Sequence, residues 1–430
     1  ICKNVWFSIL LTLVARGVLW PPGNEIWGMG DILFFLPRSV FGALVALPLL
    51  LFVKATQGGK KMLWLWGSLV LGLVSNYHPI SGVGVMFAML VSMFLFLVLA
   101  DKSKLLPAFW LTVAAGLCFA LGIGHFVWVF VQTSLHQQAV DPALFTSLVP
   151  ERISGVFLNP FALYKGYFSA QWLILIFGPL IVSAWLYNRV PKPQQRILQL
   201  SGLFFIAMLV APLFFYYAEV ALRQLKIANL NVAFQLVRTS KYIVFGLYLM
   251  LAVAMAQLAS KRWRAGIFPI GMLLCFGFIG SSFLGKSYPK KFPMFGFDFF
   301  RGQIPDALTK ARYLPQTYQH LDSALAWIST NTPPDATFAG SSQIRGGAKR
   351  SVVFDYKGAS MLIEENKSAF ISWAKNNIVF EKLQKGQPRF DFYKRLGAEY
   401  VLTQEDSSNQ EELVKTFYEW KLYKLKPLDN

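Results

Sequence analysis

The sequence predicts a polytopic α-helical membrane protein of about nine transmembrane helices, followed by a small soluble α/β domain. Three observations carry this. Of the 430 residues 55% are hydrophobic and only 15% charged, against about a quarter charged in an average soluble domain. A chain so apolar cannot hide its surface in water, whereas a bilayer serves as its solvent. The acids are segregated: Glu25, Asp31, Asp101, Asp141, Glu151 and Glu219 are the only ones in residues 1–284, and the other 16 of 22 lie in 285–430. Short basic turns also recur between the apolar runs. The net charge of +19 therefore collects in loops that set membrane orientation, which argues against a nucleic-acid surface.

Crossing the hydrocarbon core takes about 20 apolar residues. Segments 4–20, 34–53, 62–78, 82–100, 105–130, 171–188, 197–218, 241–260 and 266–284 qualify. Lys54, Lys60 and Lys61 follow the second segment, Lys102 and Lys104 the fourth, Arg189, Lys192 and Arg196 the sixth, and Lys261, Arg262 and Arg264 the eighth. Every second connection is thus basic, so these face the cytoplasm. The connections 21–33, the turn near His78, the loop 131–170, the segment 219–240 and everything after 284 are expected outside. The chain opens on Ile1 close to an apolar run, which suggests an amino-terminal truncation. Cys2, Cys118 and Cys275 all fall in apolar stretches and support neither a disulfide framework nor a zinc site.

Prolines 289, 293 and 305 mark a linker over 285–320, and 321–430 forms the second domain. Residues 321–330 read as an amphipathic helix that Pro333-Pro334 ends; 336–340 and 351–355 read as short buried strands. Helices follow at 368–384 and 391–396, a strand at 399–403 and a last strand near 419–425. Helices alternating with apolar strands predict a two- or three-layer α/β unit.

Ionisable groups in or beside a span are costly and so are functional candidates. Arg38, in FFLPRSVF, could bind an anionic head group or simply reach for water. His78, in NYHPISG, could meet a substrate phosphate or carry a proton, or could be a polar turn before a helix-starting proline. Glu151 and Arg152 sit in the long loop 131–170, whose aromatics suit a membrane interface. Gln235 and Arg238 end a stretch that reads either as an interfacial helix or as the start of the next span. In the tail, Arg345, Lys349, Arg350 and Lys357 surround a strand ending in Asp355; such a group can bind phosphate or sugar acids, or form a solvated rim.

The segments AWISTNTPPDATF, RGGAKRSVVFDYKG and FYKRLGAEYVLT, together with NYHPISG and FQLVRTSKY, carry a resemblance. The chain resembles bacterial polytopic membrane proteins related to the GT-C glycosyltransferases, in a branch with an extracytoplasmic carboxy-terminal domain. The matching tail positions are Asp335, Arg345, Arg350, Asp355 and Lys357, with Pro333, Pro334, Gly397, Tyr400 and Val401. The resemblance implies a bacterial inner-membrane enzyme that moves a sugar from a polyprenyl-phosphate carrier at the outer face. It further implies a divalent cation such as Mg or Mn, and an acid in the first outside loop as base, here Glu25 or Asp31. Two other readings remain from the residues: a non-catalytic envelope or glycan assembly protein of the same fold, and a transporter. Against the transporter, no span pairs an acid with a cation at its centre.

Overall fold

In the computed structural model the described residues are 37–100, 102–135, 140–153, 159–161, 164, 170–224, 236, 242–258, 316–356, 358–359, 362–363, 366–406 and 411–426. The expected spans 4–20 and 266–284 and the linker up to 315 lie outside them. The chain divides into two compact units, residues 1–132 with 155–304, and residues 133–154 with 305–430.

The first unit is helical. Its helices are α1 (Pro37–Leu44), α2 (Ala46–Gly58), α3 (Lys61–Ser75), α4 (Pro79–Ala100), α5 (Leu105–Gly122), α6 (Gly124–Leu135), α8 (Ala170–Leu186), α9 (Lys192–Gln224) and α10 (Ile243–Leu258). Four stretches are long and apolar enough to cross a membrane: Val40–Gly58, Pro79–Ala100, Leu105–Gly122 and Lys192–Ala221. The chain is a membrane protein. Phe41, Phe52, Leu71, Met93, Ile197 and Phe205 fill the interior. Leu106, Trp110, Leu117 and Leu121 stand outward on α5, where acyl chains and not water are their solvent. Buried Ser68, Ser201 and Thr56 donate to the carbonyls of Trp64, Ile197 and Phe52 at 2.9, 2.7 and 2.8 Å. Each hydroxyl is thus satisfied within its own helix and can sit in an apolar interior.

The helix ends sort into two groups. At one end Arg196 donates to the Gln57 carbonyl at 3.2 Å and Gln257 bonds Gln194. Here α2, α9 and α10 meet beside Lys54, Lys60, Lys61 and Lys192. At the other end α3 turns into α4 through residues 76–78, and α10 begins beside that turn. α9 runs 33 residues with Pro212 inside it, about 50 Å of helix. That exceeds the ~30 Å hydrocarbon core, so it projects past the expected end at 218. Glu219, expected at the start of an outside connection, is instead inside this helix and buried at 3% exposure.

The expected single span 105–130 is broken at Ile123, between α5 and α6. The cause is Asn76. Its Nδ2 donates to the Gly122 carbonyl at 2.9 Å and its Oδ1 accepts from the Phe126 amide at 3.0 Å. Those two backbone groups would have bonded each other in a continuous helix; the amide side chain stands between them and satisfies both. Close helix approach permits this. A Cβ on Gly72 would lie 2.3 Å from the Phe119 carbonyl, and one on Gly122 2.4 Å from that of Leu69, the small-residue contact that membrane helices favour.

The second unit is an α/β/α sandwich. Its sheet has the order β2-β1-β3-β5-β4, from β1 (Thr337–Gly340), β2 (Ser351–Val352), β3 (Tyr400–Thr403), β4 (Glu412–Phe417) and β5 (Trp420–Lys424). The first three are parallel, with Phe338 opposite Val352 and Tyr400. The hairpin β4–β5 adds antiparallel along β3, with Val401 opposite Tyr423. Alternation gives the sheet two apolar faces. Phe338, Leu402 and Leu422 meet α11 (Gln316–Asn331) through Leu321, Leu325 and Ile328. Ala339, Val401 and Tyr423 meet α13 (Gln387–Arg395) through Phe390 and Tyr393. Between β2 and α13 runs α12 (Lys367–Lys382), whose Phe380 joins the second face.

A piece of the long loop belongs to this unit. α7 (Pro142–Leu148) starts on Asp141, which accepts from the Ala143 amide at 2.9 Å, with proline at the first helical position. Phe145 of α7 packs edge-on to Phe370 of α12, ring centres 5.6 Å apart. Glu151 accepts from Asn377 Nδ2 at 3.1 Å, across 226 residues of sequence.

Candidate functional site

The first unit carries a buried polar node at the end where α3 turns into α4. The Ser81 amide donates to His78 Nδ1 at 3.3 Å. Ser81 Oγ is hydrogen-bonded to the same Nδ1 at 2.6 Å and to the Tyr242 hydroxyl. The result is a chain of hydrogen bonds linking Tyr242, Ser81 and His78. Phe41 walls it, with ring centres 5.9 Å from Tyr242 and 6.5 Å from His78. Tyr242 is 3% exposed and Phe41 fully buried.

Three motifs distant in sequence converge here. FFLPRSVF contributes Phe41, NYHPISG His78 and Ser81, and FQLVRTSKY Tyr242. Arg38 lies one turn before Phe41 in α1, though its side chain is outside the described residues. Glu219 approaches the same end. On α9, Phe215 packs tilted against Phe87 of α4 with centres 5.0 Å apart, and Glu219 is four residues, about 6 Å, further along. Sequence reading counted Glu219 only as an acid beginning a loop. Its signal was the spacing of Ala211, Phe215 and Glu219 by four, which puts all three on one buried face.

The second unit handles its candidates differently. Arg350, expected either to bind an acid or to lie on a solvated rim, does neither. It is 8% exposed and donates to the Thr332 and Ser329 carbonyls at 2.7 and 2.9 Å, the Ala348 carbonyl at 3.2 Å and Thr332 Oγ1 at 3.1 Å. It caps the carboxy-terminal end of α11, where free carbonyls and the helix dipole attract a cation. Asp335 is exposed in the following turn. Arg345 forms an ion pair with buried Asp355 at 3.1 Å, and a Cβ on Gly358 would come within 2.9 Å of both charged groups.

Beside that pair stands Tyr356, with the Arg152 guanidinium over its ring at 4.6 Å. Arg152, from the long loop, thus packs on the residue that follows Asp355 in sequence. Glu151 next to Arg152 is engaged with Asn377 and ties the loop to α12. Glu25, Asp31, Gln235, Arg238 and Lys357 lie outside the described residues. Elsewhere in this unit displaced ionisation is structural. Burial pushes the Tyr393 hydroxyl up to about 12. Burial alone would raise the Glu411 carboxyl, but Lys394, the Lys426 amide and Gln387 outweigh it and hold it below the usual carboxylate range.

Among the described residues no three His, Cys, Asp or Glu side chains gather in a way that could hold a metal ion. No family model matches this sequence, and no curated protein is found to be similar to it.

Proposed function

We propose that the chain is an integral-membrane glycosyltransferase that moves a sugar from a polyprenyl-phosphate carrier to an acceptor at the outer membrane face. The observation that supports this is the polar node: His78, Ser81 and Tyr242 hydrogen-bonded in an apolar bundle, with Glu219 buried in α9 of the same bundle. Polar and ionisable groups are expensive at such positions and mark function by default. The other end of the bundle carries Lys54, Lys60, Lys61, Lys192 and Arg196, which under the positive-inside rule supports a node at the outer leaflet, where a lipid-linked donor would present its sugar.

The chemistry needs a base for the acceptor hydroxyl and compensating charge for the departing phosphate. Glu219, the buried carboxylate of α9, is the residue we assign as that base. The acceptor oxygen bonds to the anomeric carbon as the bond from that carbon to the phosphate oxygen breaks. The hydroxyl proton passes to Glu219, and the polyprenyl phosphate leaves as an anion. His78, at the turn into α4, is the residue we assign to meet that anion, and Arg38 is the cation that the sequence offers for it. The second reading, a non-catalytic envelope assembly protein, rests on the scarcity of acids, six in residues 1–284.

The test is lipid-linked sugar and surface-glycan profiling of a deletion strain, complemented with wild type, Glu219→Gln, His78→Gln and Arg38→Ala, alongside Glu25→Gln and Asp31→Asn. A transferase using the node loses product by tenfold or more with Glu219→Gln, about the scale of removing one positioned base, while the protein level holds. If the deletion changes a glycan and every single variant restores it, the assembly reading replaces this one. If the deletion changes none, the transferase reading is lost.

A further inference from the structure

We propose that the surface formed by Arg152, Tyr356 and Trp373 binds a sugar bearing an oxyanion, a carboxylate or a phosphate. Two orphaned donors point to it. Arg152 Nε–H and Trp373 Nε1–H are both buried and find no acceptor. A buried donor left unpaired costs about 1–3 kcal/mol, and such groups are normally satisfied or used. Both flank one residue: Arg152 lies over the Tyr356 ring at 4.6 Å, and the Trp373 ring centre is 5.7 Å from that of Tyr356. Trp373 is 7% exposed and Tyr356 49% exposed, so a reachable aromatic stands between two hidden donors.

The chemistry narrows the ligand. Two N–H donors, one of them cationic, call for an oxygen-rich anionic acceptor. The exposed phenol offers an apolar ring and a hydroxyl, suited to a ring with one greasy and one polar aspect. Glu151, the nearest other acid in the loop, is already bonded to Asn377. A bound sugar would touch the loop through Arg152 and the domain through Tyr356 and Trp373. This inference does not depend on the transferase reading.

Isothermal titration of the full chain in nanodiscs, with glucuronate, glucose 6-phosphate, glucose and inorganic phosphate, tests it. An acidic sugar should bind at millimolar affinity or better, and glucose at least about tenfold more weakly, the scale of one charge-assisted hydrogen bond. Glucuronate against glucose 6-phosphate distinguishes the two oxyanions. Trp373→Phe removes the N–H and keeps the ring packed between Phe354 and Phe370; it should weaken binding about five- to tenfold. Arg152→Lys should do the same, while Tyr418→Ala, at another exposed aromatic, should leave binding unchanged. Absence of heat up to about 10 mM of either acidic sugar, unaltered binding by Trp373→Phe, or phosphate alone binding as tightly as the sugars would each overturn the proposal.

Discussion

In both units a helix is interrupted and one side chain deals with the backbone left over, but the side chains differ in kind. At Ile123 in the bundle the gap exposes one N–H and one C=O, and Asn76, a neutral amide with one group of each type, fills it. At the end of α11 the fold exposes carbonyls only, and Arg350, all donors, gathers them. A charge at the first position would carry a large desolvation cost in an apolar interior. An amide at the second would supply too few donors. The chemistry of the exposed groups and the dielectric around them together select the residue.

Three variants break or sharpen that contrast. Arg350→Ala should have the largest effect, since it strands several buried acceptors at about 1–3 kcal/mol each. Limited proteolysis and thermal melting of the full chain should show the second unit opening, and Arg350→Lys should recover only part, because a single ammonium cannot span carbonyls on both sides of Thr332. Asn76→Ala should be milder, about 1 kcal/mol, the typical worth of an interhelical hydrogen bond in a membrane. It lets α5 and α6 straighten and re-form the missing bond, so an unchanged melt with Asn76→Asp, which keeps only acceptors, would contradict the arrangement described. The smallest effect is a pH dependence confined to the second unit. Glu411 has its folded ionisation lowered by Lys394, so its contribution is complete above the unfolded value near 4.5 and fades as pH falls through the lower folded one. Glu411→Gln should flatten that acid limb.

The helical bundle and part of the sheet were readable from pattern. Four of the nine expected spans, 34–53, 82–100, 105–130 and 197–218, overlap stretches long and apolar enough to cross a membrane, and the short apolar runs in TFAG and YVLT marked buried strands. β4 was not readable. ELVKTF lacks a buried stripe because it is an edge strand, and its charged side chains are what keep such an edge from pairing elsewhere. Glu219 was hidden because hydropathy stops at the first carboxylate, whereas backbone hydrogen bonding carries a helix through it. Nor does local pattern link NYHPISG to FQLVRTSKY. Ser81 and Tyr242 are 161 residues apart, and only tertiary packing makes them neighbours. Arg350 misled because a clustered arginine looks the same in sequence whether it faces solvent or a helix end.

The bond between Glu151 and Asn377 also has a consequence in time. A ribosome adding about 5–20 residues per second needs roughly 10–45 s to travel between them. Throughout that interval Phe145 and Leu148 have no α12 to cover them. The loop must wait, apolar side bare, while later helices are threaded into the bilayer, and a chaperone or the membrane surface is the natural shelter for it.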